Sequence, residues 1–286
     1  MLSTNYHLNR KKAGKIIKAI VFIIAVIGAI ISAIPFIWMV STALKPLDEA
    51  MRYPPTIIPE NPSWKNFKEA WSTYVPFNKF FLNTVIITVP SVLGNVFVSA
   101  LAAFGFSHLT WRFREFFFML LLSTMMLPYH VTMIPIYIIF RRLEWIDTFY
   151  PLIVPNLFGS AFYIFLLRQF LLGLPKELDD AARIDGASSF MIFWKIVLPL
   201  CKPALMTAAI MSFTANWNNF MGPLIYLNKM EKMTLSVGLS MFQGTYYAFY
   251  NLMMAAALIT LLPLLILFFI GQRYFIEGIV LTGLKR

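Results

Sequence analysis

Six long apolar runs, separated by short polar segments, account for most of this chain. Each run is free of Asp, Glu, Lys and Arg, and the runs cover residues 19–44, 80–111, 116–140, 148–167, 203–228 and 233–272. They contain 26, 32, 25, 20, 26 and 40 residues. A helix of about 20 apolar residues crosses the hydrocarbon core of a bilayer, and a helix pairs its backbone groups internally in lipid. The pattern therefore predicts an all-α polytopic membrane protein.

Six transmembrane helices are predicted, one in each run. We place them at about residues 19–44, 81–106, 116–140, 150–172, 203–227 and 252–271. The first part of the longest run contains Ser, Gly, Gln and several Tyr, so we interpret it as loop. Residues 1–286 are predicted to form a single transmembrane domain. It has outer loops at about residues 45–79 and 228–250 and a cytoplasmic loop at about residues 174–203.

Composition and charge agree with a membrane location. Charged residues make up 13% of the chain and hydrophobic residues 59%, whereas about a quarter of the residues of a soluble domain are charged. The net charge of +11 does not indicate nucleic-acid binding here, because the basic residues lie at helix ends. The side with both termini carries +9 and the other side +2. Since basic loops stay inside, we predict a multi-pass plasma (inner) membrane protein with cytoplasmic N- and C-termini.

The cytoplasmic loop at 174–203 contains a polar segment with its own helix signals. Pro175 and the three acidic residues that closely follow it suit the first turn of a helix. Gly186 ends that helix, Ser188 or Ser189 can cap a second helix over residues 190–197, and Pro199 and Pro203 end it. We predict a helix–turn–helix whose small alanines and fixed charges form a docking surface for another protein. The alternative is an amphipathic hairpin that only caps the bundle.

A family resemblance rests on the same loop. Its motif is Asp180-Ala181-Ala182, then Gly186 after three further residues, and later Ile196-Val197-Leu198-Pro199. This pattern resembles the EAA loop of binding-protein-dependent ABC importer permeases, and residues 182–187 resemble its carbohydrate-uptake branch, the maltose permease G subunit type. Weaker matches follow in order along nearly the whole chain. Asp180 stands where the family has Glu, which keeps the charge but shortens the side chain by one methylene.

The resemblance implies a type I ABC importer permease with the MetI-like fold, in which six helices in the lipid bilayer form a pore. Such a chain pairs with a second homologous permease subunit, and two ATP-binding ABC subunits dock below. An extracytoplasmic sugar-binding protein delivers a sugar or oligosaccharide from outside. No nucleic acid is expected as a partner.

The resemblance also implies that the chain is not an enzyme and binds no cofactor or metal. ATP and Mg²⁺ would lie on the partner ATPase subunits, and the absence of a GxxxxGK[ST] motif from this chain agrees with that. The ATPase contact is expected at the motif residues Asp180, Ala181, Ala182, Asp185, Gly186, Ala187, Leu198 and Pro199.

Polar residues within the predicted helices form a second set of candidates. Polar side chains at membrane depth are costly and usually face a cavity or another helix. Asn216 and Asn219 are spaced to share one helical face, and sugars bind amides beside aromatic rings. The candidates for the substrate pathway are Asn216, Trp217, Asn219, His130 and Asn156. The alternative for each polar member is a structural hydrogen bond between helices.

Two other functions compete with that of an importer permease. A membrane-embedded transferase would place paired acids or a histidine cluster at the interface, whereas the three histidines, at 7, 108 and 130, are dispersed. A secondary transporter would show internal repeats and membrane-buried charges, and the predicted helices contain no clear example of either.

Overall fold

A computed structural model of the protein describes residues 2–73, 75–243 and 248–283, with side chains described only between residues 17 and 272. The predicted outer loop at 228–250 is described except at residues 244–247. The terminal residues 1 and 284–286, for which the charge pattern predicts a cytoplasmic location, lie outside the described residues. Within the described part the chain is almost entirely helical, and an isolated bridge pairs Gln243 with Ala248.

The helices of the described residues are numbered here in chain order. They are α1 (Leu2–Ala43), α2 (Leu47–Ala50), α3 (Lys65–Ser72), α4 (Phe77–Ser107), α5 (Arg114–Thr124), α6 (Tyr129–Arg142), α7 (Tyr150–Ile153), α8 (Ala161–Leu171), α9 (Glu177–Ile184), α10 (Ser189–Ile192), α11 (Leu198–Leu200), α12 (Lys202–Trp217), α13 (Met221–Tyr226), α14 (Leu235–Ser240) and α15 (Tyr250–Gly283). A 3₁₀ turn, Val154–Phe158, follows α7, and a π turn, Phe193–Val197, joins α10 to α11.

Four helical segments of the described chain are long and apolar enough to cross a membrane. They are Ile17–Ala43, Phe77–Ser107, Tyr150–Leu171 and Tyr250–Gln272. Two helix pairs pass the same test together but are bent: α5 with α6 by 95°, and Ser189–Leu200 with α12 by 78°. If each bent pair is one span, six spans result, in the order that the charge-free runs predict.

The third predicted helix is broken in the structure. α5 ends at Thr124, and α6 begins at Tyr129, directly after Pro128, whose ψ of 137° is extended. Proline has no backbone N–H, and it disfavours the helical conformation in the residue before it. The predicted span at residues 116–140 is therefore a bent pair of helices, and Pro128 supplies the physical reason.

The fourth and fifth predicted helices are also interrupted. The 3₁₀ turn after α7 leads to Gly159, whose φ of +82° ends the helical path before α8 begins. α12 ends at Trp217, and the helix resumes only for the six residues of α13. Irregular backbone at membrane depth is tolerated where it is buried in protein or lines a cavity. These interruptions therefore indicate where a cavity can form.

The second helix of the 174–203 loop is longer than the sequence predicts. A helical path continues from α10 through the π turn into α11, and a change of direction comes at Cys201. Pro199 does not end the helix, because it lies within this path, directly after the π turn, and the helix continues to Leu200.

The chain forms two compact units, residues 1–70 with 242–258 and residues 71–241 with 259–286. In the larger unit, α4 packs along both α8 and α12. The core between these helices is apolar and includes Phe104, Leu167 and Ala208. The 174–203 loop contributes Ile192 and Phe193 to this core. The loop is therefore packed against the helix bundle.

The smaller unit is held by polar contacts around its loop. Asn66 Nδ2 donates hydrogen bonds to the carbonyl oxygens of Ala43 and Lys45, at 2.8 and 2.7 Å. The carboxylate of Glu49 accepts bonds from the Glu60 amide at 3.0 Å and from the Thr56 hydroxyl at 3.1 Å. The bond from the Glu60 amide is the main reason that the pKa of Glu49 lies below its ordinary value. These contacts hold the described part of this loop in one conformation.

Asp147 ties two loops of the larger unit together. Its carboxylate accepts hydrogen bonds from the backbone amides of Asn228 and Lys229, at 3.2 and 3.1 Å, and from Lys232 Nζ at 3.2 Å. Burial favours the neutral carboxyl, but these donors together outweigh it and hold the pKa of Asp147 below its ordinary value of 3.8. The ionised form is therefore the one that stabilises the fold.

Asp147→Asn should remove a pH-dependent part of the stability. A group whose pKa falls on folding stabilises above its unfolded pKa and loses that effect as the pH drops through its folded pKa. We expect the purified variant to melt below the wild-type protein at pH 7, with the gap closing below about pH 4. Thermal unfolding at pH 7 and at pH 3 checks this, and a gap as large at pH 3 as at pH 7 would contradict it. Asn also tolerates the positive φ of 59° at this position.

Candidate functional site

The 174–203 loop forms the helix–turn–helix that the sequence predicts. α9 has three acidic residues in its first turn, where the positive end of the helix dipole favours them. After α9 the chain turns at Gly186, whose φ is +80°. The hydroxyl of Ser188 then accepts a hydrogen bond from the Met191 amide at 3.3 Å and caps α10. The local signals in the sequence thus set both helices and the turn between them.

The structure separates the predicted coupling residues into an exposed and a buried group. Asp180, Ala181, Asp185, Gly186 and Pro199 are exposed. Ala182 is 9% exposed and lies in the core, with Ala187 and Leu198 half-buried against it. The interpretation of both alanines as a surface for a partner is therefore wrong for Ala182, whose methyl packs inside this chain.

Large apolar side chains of the same loop are exposed on the side that faces away from the helix bundle core. Ile184 is 86% exposed at the end of α9, and Phe190 and Trp194 are exposed along the second helix. The rings of Phe190 and Trp194 stack with their centres 6.2 Å apart, and an exposed apolar patch of this kind marks a surface that a protein or a membrane covers. Ile184 lies inside the sequence motif, but its exposure could not be inferred from the motif alone.

A buried pair joins the loop to the end of α4. His108 Nδ1 lies 2.5 Å from Asp179 Oδ2, and the two side chains are 4% and 9% exposed. The residues are 71 positions apart in sequence, so no local pattern could have paired them. Neither residue is among the motif residues or the pathway candidates that the sequence indicates.

A second buried charge lies near the same end of the bundle. Arg168 of α8 donates to both carboxylate oxygens of Glu115 at 3.0 Å and to the carbonyl oxygen of Phe106 at 3.1 Å. Its guanidinium lies 4.0 Å from the centre of the Phe118 ring. Arg168 therefore links α8 to α4 and α5. The expectation that the helices carry no clear buried charge is wrong at this residue.

The second candidate site is a cavity of about 400 Å³ in the larger unit. It lies where α6, the 3₁₀ turn and α13 meet, which is where three predicted helices are interrupted. Its lining residues are Tyr129, Ile136, Ile139, Phe140, Pro151, Leu152, Pro155, Asn156, Asn219, Gly222 and Tyr226. A mostly apolar wall with a few polar groups is typical of small-molecule sites.

Two amides of the predicted pathway line this cavity. Asn156 Nδ2 donates to the Leu152 carbonyl oxygen at 2.9 Å and to Asn216 Oδ1 at 3.3 Å. Asn219 Oδ1 accepts from the Gly222 amide at 3.1 Å. Within the described residues, Asn156 Oδ1 and Asn219 Nδ2 make no hydrogen bond. The cavity therefore offers one free acceptor and one free donor.

The other three pathway candidates have different positions. Asn216 does not line the cavity, and its Nδ2 donates to the Ser212 carbonyl oxygen at 2.8 Å. Trp217 is 2% exposed, and its Nε1 donates to the Thr260 carbonyl oxygen at 3.0 Å. His130 is exposed and is not part of the lining. These placements favour structural roles for Asn216 and Trp217.

The described residues contain no group of three or more His, Cys, Asp or Glu side chains that could hold a metal ion. The 174–203 loop is arranged to bind another protein, and the cavity is arranged to bind a small polar molecule. The loop presents a surface next to the bundle, and the cavity presents one free amide oxygen and one free amide nitrogen beside aromatic rings.

Comparison with known proteins places this architecture in a family. The family described as "Binding-protein-dependent transport system inner membrane component" matches residues 95–280. The chain is 34% identical, over 259 residues, to the arabinooligosaccharides transport system permease protein AraQ of Halalkalibacterium halodurans, covering 90% of this chain and 92% of that protein. It is also 34% identical, over 239 residues, to the sn-glycerol-3-phosphate transport system permease protein UgpE of Pectobacterium atrosepticum, covering 81% and 85% of the two chains.

A solved structure has the same fold. A chain of a bacterial ABC transporter involved in the import of the acidic polysaccharide alginate superimposes with a TM-score of 0.80. The match covers 91% of this chain and 97% of that chain at 23% identity. The prediction of a MetI-like ABC importer permease fold is therefore confirmed, and the transferase and secondary-transporter alternatives are disfavoured. This chain, a multi-pass membrane permease, belongs to the family of binding-protein-dependent transport system inner membrane components.

Proposed function

We propose that this chain is a pore-forming permease subunit of an ATP-driven importer that takes up a sugar or oligosaccharide. It pairs with a second homologous permease, an extracytoplasmic sugar-binding protein delivers substrate, and two ATP-binding subunits dock on the cytoplasmic side. The chain itself is not catalytic, and ATP and Mg²⁺ are bound by those partner subunits. Family membership supports this arrangement, as does the similarity to a permease for arabinooligosaccharides.

The orientation we propose follows from the charge asymmetry. The side with the larger positive charge faces the cytoplasm, so both termini and the 174–203 loop lie inside and the loops at 45–79 and 228–250 lie outside. The cytoplasmic loop is then in reach of an ATPase subunit.

The 174–203 loop is the part that we propose to couple ATP hydrolysis to transport. The observation that supports this role is the combination of an exposed tip and a buried base. Asp180, Ala181, Asp185 and Gly186 are exposed for a partner, whereas Ile192 and Phe193 lie in the core of the bundle. A force applied at the tip is therefore carried to the transmembrane helices through packed side chains.

The substrate pathway that we propose passes the cavity at Asn156 and Asn219. A free amide oxygen and a free amide N–H can bond the hydroxyl groups of a sugar, and the rings of Tyr129, Phe140 and Tyr226 provide apolar faces. The lining contains no Lys or Arg, so the cavity offers no counter-charge to a phosphate. This favours a neutral sugar over sn-glycerol-3-phosphate, the cargo of the UgpE relative.

Asn219→Leu and Asn156→Leu test the pathway. A hydrogen bond contributes about 0.5–1.5 kcal/mol, and about 1.4 kcal/mol is a tenfold change. We expect uptake into proteoliposomes by the complete transporter to fall by roughly tenfold, while ATP hydrolysis stimulated by the binding protein persists.

Asn218→Leu is the matched control, because Asn218 is an exposed neighbour that does not line the cavity. We expect it to transport as the wild-type protein does. If the two cavity variants only reduced the yield of assembled complex, and the complex that remained transported normally, the amides would be structural and the pathway proposal would be wrong.

A further inference from the structure

Helix α9 of the proposed coupling loop, called the coupling helix below, has few buried side chains. Of its eight residues, Asp179 and Ala182 are buried. They lie three positions apart and therefore on the same face of the helix. Ala182 contributes one methyl group, and the packing of a methyl group does not fix the orientation of the helix. Asp179 provides a hydrogen bond, whose strength depends on the angle and distance between its atoms.

The partner of Asp179 is itself held in place. His108 follows α4 directly and caps its C-terminus. Its ring stacks on Phe104, with the ring centres 5.2 Å apart and the planes 20° apart. This stacking aims Nδ1 at the Asp179 carboxylate.

The other ring nitrogen of His108 has no hydrogen bond. Nε2 is buried and unpaired in the described structure. Leaving a buried polar atom unpaired costs free energy, so an apolar residue would serve better if packing were the only requirement. The ring is therefore used for one directed bond, from Nδ1 to α9.

Charged groups around the pair do not replace this bond. Arg114, Lys176, Asp180 and Arg183 line the same cavity, of about 160 Å³, as His108 and Asp179. Among the described residues, none of these four side chains has a hydrogen bond or ion pair with the Asp179 carboxylate, whose partner is His108. Arg114 is tied elsewhere, to the Leu109 carbonyl oxygen at 3.0 Å.

We propose that His108 and Asp179 are positioning residues that fix the coupling helix to the inner end of α4. Movement of α9 is then passed directly to the transmembrane helix that runs through the core, in addition to the path through α10 and α12. This inference rests on the proposed coupling role of the 174–203 loop. It adds a second link between that loop and the bundle.

His108→Asn and His108→Gln show whether the position needs a hydrogen bond directed at Asp179 or only a polar side chain that fills the space. The amide nitrogen of Asn can take the place of imidazole Nδ1, whereas that of Gln reaches the place of Nε2. Both variants are polar and close in size. In the reconstituted transporter we expect His108→Asn to keep sugar transported per ATP within about threefold of wild type, and His108→Gln to lower that ratio by roughly tenfold.

Thr110→Val is the control, because Thr110 lines the same cavity and is exposed. The amount of sugar that this variant transports per ATP should match that of the wild type. Equal ratios for His108→Asn and His108→Gln would overturn the proposal, whether both were normal or both were low. Co-purification of the ATPase is measured with each variant. If the wild-type chain retains no ATPase, the proposed function itself is wrong. If the ATPase is retained and both variants couple normally, only the positioning role is wrong.

Discussion

Gly186→Val is expected to lower both ATPase association and transport by about tenfold while the protein stays in the membrane. Gly186 has a φ of +80°, and a Cβ built there meets no atom within 4 Å. The cost is therefore backbone strain alone, about 1–2 kcal/mol for an L-residue in the left-handed region. Strain at the tip of the loop displaces the exposed motif residues beside it. Co-purification of the ATPase with the tagged chain, followed by uptake in proteoliposomes, measures the loss.

Two matched variants show whether the effect comes from φ. Gly186→Asn should retain most of the activity, because Asn adopts left-handed conformations more readily than other residues. Gly28→Val should behave as wild type, since Gly28 also has no atom within 4 Å of a built Cβ and its φ is not positive. Normal transport by Gly186→Val, with a normal ATPase complex, would remove the docking role from this loop.

Gly238→Val should destabilise the larger unit by about 1–3 kcal/mol or more, as overpacking of a core does. A Cβ at Gly238 would lie 2.4 Å from Phe80 Cδ2 and 2.8 Å from Cε2. Phe80 is fully buried and packs edge-on against Phe77, which is also fully buried. The ring therefore cannot move aside without disturbing its neighbour. Thermal unfolding of the purified chain in detergent is the measurement.

Phe80→Leu combined with Gly238→Val tests the cause. The smaller side chain should restore part of the lost stability if the clash with the ring is responsible. An unchanged melting temperature for Gly238→Val, or a double variant less stable than either single one, would contradict the packing described around Gly238.

The arrangement of spans could be predicted because charges in the hydrocarbon core are costly. The charge-free runs mark each crossing, and the order of the spans follows the chain. The interior breaks were harder to place. Pro128 and Gly159 are visible in the sequence, but proline and glycine also occur in continuous membrane helices, where neighbours pair the freed groups. Only the packing decides which of them interrupt a helix.

In the candidate sites, too, features with local sequence signals could be predicted, whereas contacts between distant residues could not. The helix–turn–helix follows from local signals in the acidic first turn of α9, at Gly186 and at Ser188, whereas Pro175 lies before α9 and not in its first turn. The burial of Ala182 does not follow from them, because it depends on residues that are distant in sequence. The contact between His108 and Asp179 has no local signal for the same reason.

The spacing argument for the substrate pathway does not hold in the structure, and the pathway itself stays a prediction. The spacing of Asn216 and Asn219 implied one helical face, but α12 ends at Trp217, so the two amides do not lie on one helix. Asn219 lines the cavity from the turn after α12. A tryptophan beside these amides suggested a platform for sugar, yet Trp217 packs against Phe213, with the ring centres 5.1 Å apart.

Cross-linking from Ile184 tests the central claim, that the 174–203 loop contacts an ATPase subunit, most directly. A photoreactive amino acid replaces Ile184 in one variant and Ile58 in another, in membranes that contain the complete transporter. Both isoleucines are highly exposed, at 86% and 80%, and they lie on the proposed inner and outer sides. We expect position 184 to cross-link to an ATP-binding subunit and position 58 not to do so. Absence of that product at 184, or its appearance at 58, would show that the 174–203 loop does not contact the ATPase as proposed.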